Sequence, residues 1–174
     1  MIAGRTIGLR AIETEDLATL RHWRNRPELR QYFRENRELN DNQQMAWFER
    51  TVLGDPHTRM FGIENLETRE LVGACGLCGI DWTNGSAEVS LYIGHHGLYI
   101  DKTFAPDTLA LLTAYADEGL RLHRLWAEVY DFDTAKKVLL LDHDFEIVGV
   151  IPEAVWHQRR WHKTLIFNRK IDIS

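Results

Sequence analysis

Ala87-Glu88-Val89-Ser90-Leu91-Tyr92-Ile93-Gly94 alternates with period two, and beyond a polar loop the chain continues Pro106-Asp107-Thr108-Leu109-Ala110-Leu111-Leu112. The first run predicts a strand, and the second a helix with proline in its first turn. A second strand follows, Leu125-Trp126-Ala127-Glu128-Val129-Tyr130, and then a helix started by Asp133 that ends near Asp144-Phe145. Strand, loop, helix, strand, helix is a βαβα unit whose first loop opens onto a helix N-terminus. Such a terminus carries unpaired N–H groups and partial positive charge, so it favours bound phosphate.

Upstream of that unit, Thr6 to Glu13 alternates as a strand. Thr14 or a neighbour can cap a helix carrying Leu17, Leu20 and Trp23 at helical spacing. Pro27 fits the first turn of a short helix, and Asp41 can cap a third with Met45, Trp47 and Phe48. Met60 to Glu64 and Leu71 to Ile80 read as strands; the latter is joined to Ala87–Ile93 through Asn84-Gly85, a hairpin signal. Ile147 to Trp156 and Thr164 to Asn168 close the chain as a hairpin. The expected class is α/β: a mixed, mostly antiparallel sheet of six to seven strands with helices on both faces.

The length of 174 residues fits one domain over 1–174, and 44% hydrophobic with 27% charged residues is ordinary for a globular chain. A net charge of −5 argues against nucleic acid as the main partner. No apolar run approaches the roughly 20 residues of a membrane helix, and no signal-peptide core opens the chain. The expectation is a cytoplasmic protein, monomer or homodimer, with no membrane partner. Cys75 and Cys78 form a C-x-x-C inside a strand, where three residues span roughly 10 Å, so core thiols are expected instead of a disulfide. The histidines show no metal-ligand spacing, and no metal is expected.

From Leu9-Arg10 to Asn168 these patterns resemble the GNAT superfamily of acetyl-CoA-dependent N-acetyltransferases, most closely its RimJ/RimL-type branch. The resemblance implies a sheet splayed after the strand Ala87–Ile93, acetyl-CoA as cosubstrate, and a small-molecule or peptide amine as acceptor. In the family, Arg/Gln-x-x-Gly-x-Gly/Ala cradles the cofactor pyrophosphate. Here the matching stretch is Ile100-Asp101-Lys102-Thr103-Phe104-Ala105, in which Ala105 fits, Lys102 supplies a cation, and Ile100 and Thr103 depart. Lys102, Thr103, Ala105 and the amides of Asp107 and Thr108 are then the phosphate contacts. The amides of Ile93 and Gly94 polarise the thioester. Asp133 stands for the Asn that touches the pantetheine arm, and Lys136 faces the 3′-phosphate or water. Leu140 replaces the Tyr that often protonates the leaving thiolate.

Glu88 matches an acid frequent in this branch and is the candidate base, since an amine must lose a proton before attacking a thioester. His95 and His96 rank behind it, and Tyr130 lies two residues from Glu128 with the same facing. Trp23-Arg24-Asn25 resembles a segment of acetyltransferases that act on nucleotide-linked amino sugars, which slightly prefers such an acceptor over a protein N-terminus or a polyamine. Trp156 supplies an opposite wall. The same departures in the loop also suit a non-catalytic, acyl-CoA-binding or interaction module of GNAT type.

Overall fold

Period-two patterning produces the strands β1 (Ile2–Ala3), β2 (Ile7–Arg10), β3 (Arg59–Asn65), β4 (Leu71–Asp81), β5 (Ser86–Ile93), β6 (Arg124–Tyr130), β7 (Glu146–His157) and β8 (Arg160–Lys170). In this computed structural model, which describes residues 1–171, they form one eight-stranded sheet in the order β1-β2-β3-β4-β5-β6-β8-β7. The extra strand over the expected six to seven is β1. Its two residues pair with Gly8 and Leu9 but are too few to show a period. Every pairing is antiparallel except β5 with β6.

That parallel pair is the feature on which the site depends. It is in register only at Ser86↔Arg124, Ala87↔Leu125 and Glu88↔Trp126. Past Glu88 the two strands diverge, as the family resemblance implies.

The helices are α1 (Leu17–Asn25), α2 (Pro27–Arg30), α3 (Asp41–Trp47), α4 (Phe104–Ala114) and α5 (Thr134–Leu141). Leu17, Leu20 and Trp23 of α1 join Leu29, Phe48, Ala74, Tyr92 and Tyr99 in one apolar cluster. Val89, Leu91 and Ile93 point the other way, into the larger cluster that holds Leu109 and Leu112 of α4 and Leu139 and Leu140 of α5. Odd positions of β5 therefore face α4, and the even positions Glu88, Ser90 and Tyr92 face the side of α1.

Caps decide where the helices begin. The chain enters α1 through a tight turn, Thr14–Asp16, where the Asp16 carboxylate accepts the Glu13 N–H at 2.9 Å. Asp16 also holds the Arg10 guanidinium at 2.7 and 2.9 Å, and Arg10 in turn reaches Glu64 on β3 at 2.9 Å. The cap of α3 is Asn40, one residue before the expected Asp41, because Asn40 and Gln43 each accept the other's backbone N–H. At the far edge, β7 leaves Ile147, Val148, Val150, Ile151 and Trp156 exposed, as β8 does Trp161 opposite Trp156.

Candidate active site

Beyond Glu88 the diverging strands open a cleft of about 360 Å³, bounded by Glu88, Ser90 and Leu91 of β5, by Glu128 and Tyr130 of β6, and by Asp133 and Lys136 of α5. Tyr32, Phe33 and Arg34, in the segment after α2, close it from the α1 side. Glu88 and Glu128 share this face because they occupy even positions of paired strands.

Arg34 is the residue that sequence reasoning missed. Its guanidinium meets both carboxylate oxygens of Glu88, one bond measuring 3.1 Å, and lies 3.7 Å from Glu128. Arg34 sits in a stretch without periodic pattern, so only the fold brings it to Glu88. Donating to the Glu88 carboxylate raises the Arg34 pKa above its ordinary value. An aromatic wall backs the pair. Tyr32 stacks on Tyr99 at 4.2 Å, Phe33 meets Tyr92 edge-on at 5.1 Å, and Arg24 lies 4.7 Å over Phe33.

Burial governs protonation deeper in the cleft. Asp133 caps α5 by accepting the Lys136 N–H at 3.1 Å, and burial raises its carboxyl pKa above the usual value. Burial and the neighbouring Asp133 charge push the Tyr99 phenol well up. The Lys136 ammonium shifts down because burial outweighs the attraction of Asp133 and Glu88. Cys78 also lines the cleft and is pushed up to about 11 by burial, so its thiol stays protonated, while Cys75 is a core thiol; both cysteines are free.

Several expected contacts are placed elsewhere, each for a physical reason. The Ile93 N–H donates to Tyr99 O at 2.8 Å and that of Gly94 to Val72 O at 2.9 Å, so neither is free to polarise a carbonyl. Because Gly94 points to β4 and Ile93 away from it, strand alternation turns the amides of Val89 and Leu91 toward β6; the Glu88↔Trp126 bridge uses that of Val89, and that of Leu91 faces the splay. The Leu91 amide replaces those of Ile93 and Gly94 as the candidate carbonyl donor.

Trp23 is buried, and a Cβ at Gly94 would lie 2.0 Å from its indole; the two residues pack against each other. The Asn25 amide clamps Leu39, accepting its N–H and donating to its carbonyl, both at 2.8 Å. Of that triplet only Arg24 lines the cleft. His95 and His96 lie on a turn outside it with ring centroids 3.9 Å apart and planes tilted by 56°, and Trp156 is exposed beside Trp161 at 5.3 Å.

The cofactor loop shows the largest departure. α4 begins at Phe104, two residues before Pro106, so the amides of Asp107 and Thr108 lie inside the helix ladder. Asp107 is turned toward β2 and accepts from Arg5 N, Thr6 N, Thr6 Oγ1 and Ile7 N. Thr108 is fully buried and its hydroxyl donates back to Phe104 O at 2.7 Å. The open amides are those of Thr103, Phe104 and Ala105, and the Asp101 carboxylate takes all three at 3.1, 2.9 and 2.7 Å. Lys102 and Thr103 are exposed and Ala105 is buried. Acetyl-CoA thus fits at the thioester end as the residues stand. At the pyrophosphate end it fits once Asp101 swings off the amides, which are otherwise an anion site already filled by the protein's own anion.

Comparison with known proteins agrees with this geometry. The family profile described as acetyltransferase (GNAT) domain matches residues 6–146. The uncharacterized N-acetyltransferase p20 of Bacillus licheniformis is 28% identical over 145 residues, covering 82% of this chain and 80% of that protein. Spermidine N-acetyltransferase from Vibrio cholerae, solved with CoA and spermine, superposes with a TM-score of 0.83 at 23% identity, covering 95% of each chain. A dodecameric structure of the Vibrio cholerae enzyme in an intermediate state gives 0.78 at 22% identity over 95% and 94% of the two chains. No helix among the described residues is long and apolar enough to cross a membrane. With the splayed pair, the cleft and the matching profile in agreement, the chain belongs to the GNAT acetyltransferase family and is an acetyl-CoA-dependent N-acetyltransferase.

Proposed function

We propose that the acceptor is a small cationic amine of the polyamine type, acetylated by direct attack of its terminal nitrogen on the thioester. The observation that carries this reading is the acidic lining of the cleft. Glu35, Glu88, Glu128 and Asp133 line it against the cations Arg24, Arg34 and Lys136, and the Arg34 guanidinium already rests between Glu88 and Glu128. An entering ammonium takes the place of that guanidinium. The structural likeness to spermidine N-acetyltransferases points the same way at the level of fold. A nucleotide-linked amino sugar loses support, because Trp23 and Asn25 are committed to the Gly94 and Leu39 contacts and only Arg24 remains.

In this reading Glu88 accepts the amine proton directly or through a water, the amide of Leu91 faces the carbonyl oxygen, and the aromatic wall keeps bulk water out. The working unit is a monomer or homodimer. Thiol release from acetyl-CoA, measured with spermidine, spermine, a nucleotide-linked amino sugar and a peptide amine, tests the acceptor. Highest kcat/KM for the polyamines is expected; preference for the nucleotide sugar overturns it. Acetyl-CoA that neither stabilises the protein thermally nor yields thiol returns the chain to a non-catalytic role, which the filled amides at Asp101 would then explain.

A further inference from the structure

The cleft contains an amine of its own. Lys136 stands in the first turn of α5, and its side chain lines the space between the diverging β5 and β6. The groups acting on its Nζ come from several elements: Asp133 at the α5 cap, Glu88 on β5, Arg34 from the segment after α2, and Cys78 on β4. The lysine is half-buried in the cleft wall among these charges. Among the described residues no carboxylate lies within salt-bridge distance of its Nζ. Its neighbour Lys137 is engaged differently, with Nζ donating to Asp131 O.

Resting on the acetyltransferase reading above, we propose that Lys136 is itself an acetyl acceptor, a self-modification site inside the cleft where the thioester must lie. Burial lowers its pKa, so more of it is neutral and nucleophilic near neutral pH than of an exposed lysine. The neutral Nζ attacks the thioester carbonyl carbon. A nitrogen–carbon bond forms, the carbon–sulfur bond breaks, and CoA departs as thiolate. The proton lost by nitrogen passes to the Asp133 carboxylate, whose affinity for it burial has raised, and from there to the thiolate. The products are Nζ-acetyl-lysine and CoA thiol, with no redox change. Cys78 does not compete, because its thiol stays protonated.

The test incubates the full-length protein with acetyl-CoA and no amine, follows intact mass, and maps the modified peptide. One acetyl group per chain is expected, on Lys136, at a rate independent of protein concentration and rising with pH until the amine is fully neutral. Lys136→Arg should stay unmodified while acetyl-CoA still raises its melting temperature. Thermal stabilisation by acetyl-CoA with Lys136 unmodified overturns the proposal and leaves the acetyltransferase reading intact. So does acetyl spread equally over Lys102, Lys163 and Lys170, which is surface chemistry. No stabilisation and no modification overturns both.

Discussion

Asp107 lies on the helix that faces the cofactor, yet its carboxylate works at the opposite end of the site. Four donors from Arg5, Thr6 and Ile7 converge on it and lock α4 onto the start of β2. Burial alone would raise its pKa, but these hydrogen bonds outweigh burial and hold it below the ordinary carboxylate value. The stabilisation is therefore complete above that ordinary value and is lost as pH falls through the lowered one. Asp107→Ala should cost about 3 kcal/mol, since it leaves covered N–H groups unpaired, and should remove part of the acid limb of stability against pH. Urea denaturation across an acidic pH series measures both effects. Gly94→Ala should cost about 2–3 kcal/mol by forcing the Trp23 indole off its seat, with the loss read in the same way. Glu88→Gln should lower kcat about 100-fold with acetyl-CoA affinity unchanged, and unchanged turnover would take Glu88 out of the chemistry. Family resemblance pointed to Glu88, Asp133 and Arg24 as candidate site residues, and all three line the cleft. Helical spacing with Leu17 and Leu20 already pointed Trp23 at the core, but nothing in the sequence could show the Asn25 clamp, which depends on the fold placing Leu39 opposite it.

At the scale of the element, α4 and the loop before it decide how the cofactor enters. Asp101 reaches forward to the amides of Thr103, Phe104 and Ala105 and thereby starts the helix two residues before Pro106. Proline at a helix start was legible; a carboxylate capping from several residues upstream was not, since that contact depends on how the loop turns. The same limit applies to α3, where Asn40 and Gln43 cap each other and the adjacent Asp41 has the same capping chemistry. Asp101→Gly should move two measurements in opposite directions. It should lower stability by about 1 kcal/mol through loss of the cap, and raise acetyl-CoA affinity by vacating the amides. Thermal unfolding with and without acetyl-CoA separates the effects. Weaker binding in Asp101→Gly would mean that the carboxylate orders the loop for the ligand instead of competing with it.

Across the whole molecule, the alternation of β3, β4 and β5, and the order of strands and helices after them, made the mixed sheet legible before any coordinates. The splay was legible only through family resemblance, because no local pattern announces where two parallel strands stop pairing. The cleft was less legible still, since Arg34, Tyr32 and Tyr99 reach it from segments far apart in the chain. The sheet also divides unevenly. Among the described residues β5 and β6 are in register only at Ser86–Arg124, Ala87–Leu125 and Glu88–Trp126, with the His123 and Arg124 N–H groups donating to Gly85 O at the entrance, although apolar packing continues beneath them. Such a seam separates two cooperative units. Native-state amide exchange should find β6 and β8 opening at a lower free energy than β3 and β4, with Leu125 and Trp126 exchanging alongside the smaller unit. A ligand lodged in the splay touches both units, so it should slow exchange on each side together and make the protein unfold as one body.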